Sequence, residues 1–334
     1  MRENRLIRIA YFTDNGNAVC QKLKDAFCDY LFEAKPKEQT LSDFTEDSFK
    51  YHLPIVFVGA TGIAVRAIAP FVASKLTDSP VIVIDELGLN VIPILSGHYG
   101  GANELAKEFS KALGANAVIT TATDVNNVFA IDCFAAQNGF RIADKSKIKG
   151  VSEKLLKGER ILVRNDVADL EFASEIPTNL ILEDKAEADV IISESEVDTG
   201  LCLIPKRLVI GMGCKKDKAF EELLDFLKES FSEEELKQQL YAICSIDVKS
   251  KEVGLLKLAA YLGAKYFTFS AEELEAVEGD FEESEFVSKQ VGVGNVSERA
   301  ALAIDAVLVS NKEAKCGMTK AVAKRDLRSI KWLD

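Results

Sequence analysis

The segment Leu95–Asn103, which reads Leu-Ser-Gly-His-Tyr-Gly-Gly-Ala-Asn, carries residue types that could do chemistry. It follows an apolar strand-like run and precedes a helical pattern, a position where open α/β sheets bind their ligands. We predict that its histidine, His98, is a general base towards water, and that amides of the neighbouring glycines form an oxyanion site. The alternative is a tight turn with a structural histidine. The other residues of this loop predicted to contact substrate are Ser96, Gly97, Gly100, Gly101 and Asn103.

Two adjacent acidic residues, Asp85 and Glu86, end the preceding apolar run. Either could orient His98 or donate a proton, and a solvated turn is the alternative. The sequence contains only one other histidine, His52, which we interpret as structural or exposed. With so few histidines, a metal site built from several histidines is excluded.

Further loops at strand ends and helix starts hold groups that suit an anionic ligand. In the turn Gly59–Arg66, we expect Gly59, Gly62 and Arg66 to bind a carboxylate or phosphate, with close packing as the alternative. Helix capping is the alternative for the threonines and the serine in the remaining set. The other predicted substrate contacts are Thr121, Thr123, Gly213, Lys215, Lys249, Ser297 and Glu298.

The segment Gly211–Lys216 begins like a dinucleotide-binding fingerprint. Lys216 stands where that fingerprint needs its third glycine, so nicotinamide and flavin binding are excluded. The loop could still hold an anion through its amides and Lys215.

Strand-like runs alternate with helical patterns through residues 1–139, which predicts βαβ units and a mainly parallel sheet. A second unit of the same kind is predicted over residues 206–334, with a last helix over Ser297–Val309. Residues 140–205 hold short strand candidates among acidic, turn-rich pieces. The predicted fold is therefore α/β, with two mainly parallel units joined by a smaller mixed middle region or linker.

The bulk composition excludes several classes of protein. A hydrophobic content of 48% with 28% charged residues is typical of globular domains, and the formal net charge of −12 argues against nucleic-acid binding. No run approaches the roughly 20 apolar residues that cross a bilayer, and we see no signal-peptide pattern, so a cytoplasmic protein is expected. Seven scattered cysteines without Cys-x-x-Cys spacing predict neither a disulfide framework nor a zinc ribbon.

Taken together, these loops resemble the cobalt-precorrin-5A hydrolase family of anaerobic cobalamin biosynthesis. The Leu95–Asn103 string is the most specific element, and the matching pieces occur in the family's order over nearly the whole chain. The segment Met318–Ala323 departs from the family's usual sequence, and residues 140–205 are poorly marked. The other matching pieces are Gly59–Arg66, Ile68–Pro70, Asp85–Glu86, Ile119–Asp124, Gly211–Lys215, Ser245–Gly254 and Gly294–Ala301.

The resemblance implies hydrolysis of a δ-lactone on the cobalt macrocycle cobalt-precorrin-5A, with release of acetaldehyde to give cobalt-precorrin-5B. Cobalt would arrive in the substrate, so the resemblance implies neither a cofactor nor a metal site of the protein itself, which agrees with the few histidines and scattered cysteines. The substrate's acetate and propionate groups need cations such as Arg66, Lys215 and Lys249. A cleft between the N- and C-terminal units is the expected site for so broad a ring. A homodimer and transient contacts with neighbouring pathway enzymes are the other expected partners.

Two other classes of function remain open from the sequence. One is a non-catalytic protein that binds or delivers cobalt-corrinoid intermediates, because the C-terminal loops also resemble a stand-alone protein of the aerobic cobalamin route. The other is a different enzyme on a polycarboxylate, such as a corrin methylmutase or a chelatase. No clear adenosylmethionine loop is present to favour a methyltransferase.

Overall fold

The structure is a computed structural model that describes residues 1–74, 77–281 and 291–332. The chain forms two compact units, each built from stretches that are distant in sequence. The first unit contains Met1–Ala10, Cys20–Pro54 and Arg207–Asp326, and the second contains Tyr11–Val19, Ile55–Lys206 and Leu327–Asp334. The domain boundaries expected at residues 139 and 205 stay a prediction.

The described strands, in chain order, are β1 (Arg2–Glu3), β2 (Arg5–Tyr11), β3 (Tyr30–Ala34), β4 (Ile55–Val58), β5 (Val81–Ile84), β6 (Asn90–Leu95), β7 (Asn116–Ala117), β8 (Phe140–Ile142), β9 (Ile161–Asn165), β10 (Leu170–Phe172), β11 (Leu180–Leu182), β12 (Val190–Ile192), β13 (Leu201–Pro205), β14 (Leu208–Cys214), β15 (Leu240–Ile246), β16 (Lys265–Phe269), β17 (Ala306–Lys315), β18 (Met318–Arg325) and β19 (Leu327–Ile330). The described helices are α1 (Asp14–Ala26), α2 (Leu41–Lys50), α3 (Thr61–Ile68), α4 (Ala102–Leu113), α5 (Ala122–Val125), α6 (Ile131–Asn138), α7 (Ile148–Leu156), α8 (Phe220–Lys228), α9 (Glu233–Gln239), α10 (Val253–Tyr261), α11 (Ala271–Glu275) and α12 (Val296–Leu302).

In the first unit, one sheet has the strand order β1-β16-β15-β14-β18-β17. Strands β14, β15 and β16 are parallel, whereas β18 is antiparallel to both β14 and β17. Successive residues of β14, Val209 and Ile210, belong to two separate buried clusters, because neighbouring side chains of a strand face opposite sides of the sheet. The sheet is therefore covered on both faces.

Helix α12 packs closely against β14 at Gly211. A Cβ atom at that position would lie 1.8 Å from the carbonyl oxygen of Ser297, so only glycine fits. The glycine that gave the segment its dinucleotide-like pattern is thus required by helix-to-strand packing.

The last helix is shorter than the sequence predicts. Instead of continuing to Val309, α12 ends at Leu302, and β17 begins at Ala306 after Asp305, whose φ is 54°. Strand β17 pairs with β18 in an antiparallel ladder, and its side chains alternate between half-buried and exposed over Ala306–Glu313. This pairing with a distant segment overrides the local helical pattern.

The second unit contains four neighbouring strands in the order β4-β5-β6-β7. Strand β4 is parallel to β5, and β6 is parallel to β7, but β5 and β6 form an antiparallel pair with Ile84 opposite Val91. Their connecting turn has room for only the residues between Ile84 and Asn90. A turn this short cannot carry a parallel crossover, which needs a dozen or more residues.

The expected middle region forms a sheet with the order β11-β9-β12-β13-β8, parallel except for β8. Its core includes a stack of Phe134, Phe140 and Trp332, with Phe134 and Trp332 ring centroids 4.6 Å apart. The predicted α/β fold with mainly parallel sheets is confirmed. Within the described ranges, we find no helix with the length and hydropathy to cross a bilayer.

Candidate active site

The loop between β6 and α4 is a tight turn closed by its own main chain. The amide of Gly101 donates to the carbonyl of His98 at 2.8 Å, and Ser96 donates through Oγ to the carbonyl of Asp78 at 2.8 Å. Ser96 and Gly101 both have positive φ, at 55° and 84°. A Cβ on Gly97 would lie 2.6 Å from Oδ1 of Asn103, so the loop's compactness requires glycine there.

These internal hydrogen bonds leave fewer backbone amides available for the predicted oxyanion site. The Gly101 amide is already used, whereas the amides of Gly97 and Gly100 have no hydrogen-bond partner within the described part of the chain. Those two amides remain the donors that a ligand oxygen could reach.

The imidazole of His98 lies between two carboxylates. Its Nδ1 is 3.2 Å from Oδ2 of Asp132, and its Nε2 is 3.0 Å from Oδ2 of Asp124. The hydroxyl of Thr123 lies 3.1 Å from the same Nε2. All three acidic and imidazole side chains are largely buried, with 13% to 20% of their surface exposed. A ring flanked in this way can donate from both nitrogens only when it is protonated.

Neighbouring elements hold the two carboxylates in place. Asp124 lies on α5, where it accepts a hydrogen bond from Nδ2 of Asn103 at 3.0 Å. It also forms an ion pair with Lys107, whose Nζ lies 3.1 Å from Oδ1 of Asp124. The same Asn103 amide donates to Oγ1 of Thr121 at 2.9 Å. Asp132 lies in the first turn of α6. The loop, α4, α5 and α6 therefore converge on one imidazole.

The pKa of His98 is raised above its ordinary value. The hydrogen bond to Asp132 is the largest cause, and the charges of Asp132 and Asp124 outweigh the opposing effect of burial. Burial alone would raise the pKa of Asp124, but hydrogen bonds from His98 and Lys107 lower it. The two carboxylates therefore favour the protonated form of this imidazole more than water does, and a protonated imidazole can donate a proton as an acid.

A metal ion could also find ligands here. Atoms of His98, Asp132 and Cys133 lie within 4.8 Å of one another. Burial, with the nearby charge of Asp132, raises the pKa of the Cys133 thiol well above its ordinary value, so that thiol stays protonated without a metal. The prediction that the protein binds no metal of its own stays a prediction.

The contact predicted between His98 and Asp85 or Glu86 is corrected by the structure. Asp85 closes the β5–β6 turn instead, accepting from the amides of Leu87 at 3.0 Å and Asn90 at 2.5 Å. Glu86 accepts from Nδ2 of Asn15 at 3.4 Å. Because β5 and β6 are antiparallel, the residues after β5 and the residues after β6 lie at opposite edges of the sheet.

The same strand directions separate the turn after β4 from His98. Strand β4 is parallel to β5, so Gly59, Gly62 and Arg66 lie at the edge that holds Asp85. Strand β7 is parallel to β6, so Thr121 and Thr123 follow at the edge of His98. The structure therefore brings the Leu95–Asn103 loop together with the threonines and leaves the Gly59–Arg66 turn apart. Whether that turn binds substrate stays a prediction.

Four of the five predicted contacts in the second half of the chain line one open cavity of about 1640 Å³ within the first unit. Glu298 is the exception, because its buried carboxylate accepts from the amide of Lys312 and from Nδ2 of Asn295, both at 2.6 Å. Asn295 also caps α12, so capping does not explain Ser297. The four lining residues are Gly213, Lys215, Lys249 and Ser297.

Two carboxylates at the imidazole were missed from the sequence. Asp124 ends the segment Thr120–Asp124, directly after the predicted substrate contact Thr123, so its position at a strand end is a usable signal in the sequence. The sequence around Asp132 contains no comparable signal. This residue lies in the first turn of an ordinary helix and reaches His98 only through the packing of α6.

Comparison with known proteins agrees with the order of these segments. Three family models match in succession: "Cobalamin synthesis G N-terminal" over residues 43–124, "Cobalamin biosynthesis central region" over 129–205 and "Cobalamin synthesis G C-terminus" over 208–323. A relative from Salmonella typhimurium (strain LT2), named cobalt-precorrin-5A hydrolase, is 37% identical over 80% of this chain and 80% of its own length. The chain belongs to the cobalt-precorrin-5A hydrolase family.

Other members of the cobalt-precorrin-5A hydrolase family and a solved structure are also similar. The relative of that name from Priestia megaterium is 31% identical over 76% of this chain and 73% of its own length. A crystal structure of a cobalamin biosynthesis protein G homologue from Sulfolobus solfataricus covers 96% of this chain and 97% of its own, with 22% identity and a TM-score of 0.45. The family resemblance seen in the sequence is confirmed.

Proposed function

We propose that this chain hydrolyses cobalt-precorrin-5A, opening its δ-lactone and releasing acetaldehyde to give cobalt-precorrin-5B. The substrate is supported by family membership and by the relatives that bear this enzyme's name. The observation that carries the proposed reaction is the imidazole of His98 hydrogen-bonded between Asp124 and Asp132. Lactone opening and acetaldehyde release both need proton transfer in each direction, and this cluster can supply it.

In the first step, water attacks the lactone carbonyl carbon and the ring C–O bond then breaks. Asp132 takes the water proton, since it accepts fewer hydrogen bonds than Asp124. The departing oxygen receives a proton from the imidazolium of His98, so the ester becomes an alcohol and a carboxylic acid, and the acid loses its proton to solvent to become a carboxylate. The amides of Gly97 and Gly100 donate to the oxyanion of the tetrahedral intermediate.

In the second step, the now neutral His98 takes the proton of the new hydroxyl group. The O–H electron pair forms the carbonyl of acetaldehyde, and the carbon–carbon bond to the macrocycle breaks. The electron pair of that bond stays with the macrocycle, whose carbon takes the proton that Asp132 removed from water, so Asp132 is ionised again. His98 thus acts first as an acid and then as a base, which agrees with its raised pKa.

Cobalt enters this scheme only as part of the substrate, and none of the proton transfers needs a cofactor held by the protein. The cleft expected between the N- and C-terminal units, the homodimer and the pathway contacts stay predictions. A non-catalytic binding or delivery protein is the competing function, and acetaldehyde release distinguishes it from a hydrolase.

The test is anaerobic incubation of the purified chain with cobalt-precorrin-5A, followed by assay of acetaldehyde and the mass of the macrocycle. We expect acetaldehyde and cobalt-precorrin-5B in equal amounts. No acetaldehyde above the protein-free control would overturn the proposed function.

A further inference from the structure

The cavity of the first unit has a charge opposite to that of the whole chain. Among the described residues, eight lysines line it against three carboxylates, although the chain carries a formal net charge of −12. Concentrating cations in one concave surface of an acidic protein creates a local positive potential. Such a surface favours an anion with several charges spread over its width.

Some of these lysines are already paired and some are not. Lys249 pairs with the buried carboxylate of Glu252 at 2.9 Å, and Lys218 pairs with Glu222 at 2.6 Å. In contrast, Lys215, Lys216 and Lys251 have no ion-pair partner anywhere in the described ranges. Three cations on one cavity therefore lack a counter-charge from the residues that the structure describes.

A second observation also indicates a ligand. Ser297 lines the same cavity, and only 1% of its surface is exposed. Its hydroxyl oxygen has no hydrogen-bond partner among the described residues. A buried hydroxyl group without a partner costs free energy unless a ligand or a water supplies one, and a carboxylate oxygen is a suitable acceptor.

The volume of the cavity indicates the size of that ligand. At about 1640 Å³ it exceeds the roughly 300–1,000 Å³ of ordinary small-molecule pockets. Isolated carboxylates or phosphates would leave most of this space empty. A broad ring with carboxylates around its rim would fill the space and reach the separated lysines.

We propose that this cavity binds a tetrapyrrole-sized macrocycle through its peripheral carboxylates, independently of a lactone and of cobalt. The identification of that macrocycle as the enzyme's own substrate rests on the proposed function. Lactone opening removes none of the peripheral carboxylates, so substrate and product share this site.

The test uses metal-free porphyrins, which have no lactone and differ in their number of carboxylates. Fluorescence titration of the full chain with octacarboxylate uroporphyrin should give saturable binding, and tetracarboxylate coproporphyrin should bind at least about tenfold more weakly. A variant combining Lys215→Gln, Lys216→Gln and Lys251→Gln should lose about tenfold or more in uroporphyrin affinity.

A matched control removes the same charge elsewhere. Lys22, Lys37 and Lys149 are exposed and lie outside the cavity, so changing these three to Gln should alter uroporphyrin affinity by less than about twofold. Circular dichroism of both variants checks that each is folded. Ser297→Ala should weaken uroporphyrin binding without loss of thermal stability, because its hydroxyl has no partner to lose.

Three outcomes would overturn the inference: no saturable porphyrin binding, equal binding of the two porphyrins, or equal loss of affinity in the two triple variants. The result does not depend on acetaldehyde. Charge-dependent porphyrin binding by a chain that releases no acetaldehyde would support the cavity and overturn the proposed hydrolase. Acetaldehyde release without charge-dependent porphyrin binding would support the proposed hydrolase and overturn the proposed binding cavity.

Discussion

Asp132 and His98 are joined by a hydrogen bond of 3.2 Å between Oδ2 and Nδ1, although they lie on different elements. This bond is the largest cause of the raised pKa of His98. It therefore raises the protonated fraction of the imidazole at a given pH, and the proposed reaction uses that proton for the departing lactone oxygen.

Asp132→Asn should lower the pKa of His98, because the variant loses both the charged acceptor and its field. The measurement is an NMR titration of the histidine ring protons, with His52 as the only other histidine signal. Because Asp132 is also the proposed acceptor of the water proton, the rate should fall, and the alkaline limb of the remaining pH–rate profile should move to lower pH by the same interval. Asp184→Asn, at an exposed position, is the matched control. An unchanged His98 titration would contradict the assigned contact.

The His98 cluster should stabilise the fold more at acidic than at alkaline pH. A raised pKa in the folded state means that the stabilisation is complete below the unfolded value of about 6.5 and is lost as pH rises through the folded value. The lowered pKa of Asp124 acts only at lower pH, where that carboxylate becomes protonated. The difference in unfolding free energy between the wild type and His98→Gln should thus be larger at about pH 5.5 than at about pH 8.5. Urea unfolding of both proteins at the two pH values measures this difference in unfolding free energy. A larger difference at the higher pH would contradict the predicted pH dependence.

His98→Ala should reduce acetaldehyde release by about 10²- to 10⁴-fold, the usual contribution of a general acid or base. His52→Ala should leave the rate within about twofold, because that residue lies in the connection before β4 and belongs neither to the His98 cluster nor to the lining of the cavity in the first unit. Rates are compared with saturating cobalt-precorrin-5A. Full activity of His98→Ala would remove the proposed acid and favour a binding or delivery protein.

Gly97→Ala should reduce activity more than its effect on stability explains. The added Cβ would lie 2.6 Å from Oδ1 of Asn103, the side chain that also donates to Asp124, so the cluster must shift. We expect a loss of about 1–3 kcal/mol in unfolding free energy together with a lower rate in the folded protein.

Gly150→Ala is the control for that substitution. Gly150 lies within α7 and a Cβ there would meet no atom within 4 Å. Alanine should therefore stabilise the chain by about 0.5–1 kcal/mol without changing the rate. Unfolding in urea and the acetaldehyde assay separate the two effects, and equal activity in both variants would show that the loop tolerates the shift.

Chelation should leave the activity unchanged if the cobalt remains in the macrocycle. Both nitrogens of His98 already face carboxylates, and the protonated Cys133 thiol is a poor metal ligand. The measurement is acetaldehyde release after prolonged dialysis against a chelator, with the macrocycle's cobalt checked by its absorbance. Loss of activity that added zinc restores would instead assign a metal to His98, Asp132 and Cys133.

Sequence alone determined the α/β class, the family and the loop that holds His98. These depend on local signals, because alternating strand and helix patterns and a string such as Leu95–Asn103 are readable without knowing what packs against them. The exclusion of a dinucleotide site also needs only a short stretch of sequence, because Lys216 stands where the fingerprint requires a glycine.

The direction of β6 was also available from the sequence, but it was missed. A connection between Ile84 and Asn90 is too short for a parallel crossover, so an antiparallel hairpin follows from chain length alone. The predicted contact between Asp85 and His98 requires their two loops at one edge of the sheet, whereas the antiparallel pair places them at opposite edges.

Only the tertiary structure decided which carboxylates meet the imidazole and which lysines share a cavity. Asp132 reaches His98 through the packing of α6, and Lys215 and Lys251 lie 36 positions apart in the sequence yet line the same surface. The strand over Ala306–Lys315 was likewise decided by pairing with β18 rather than by local pattern. Contacts between distant segments depend on the summed packing of the whole sheet, which no short stretch of sequence encodes.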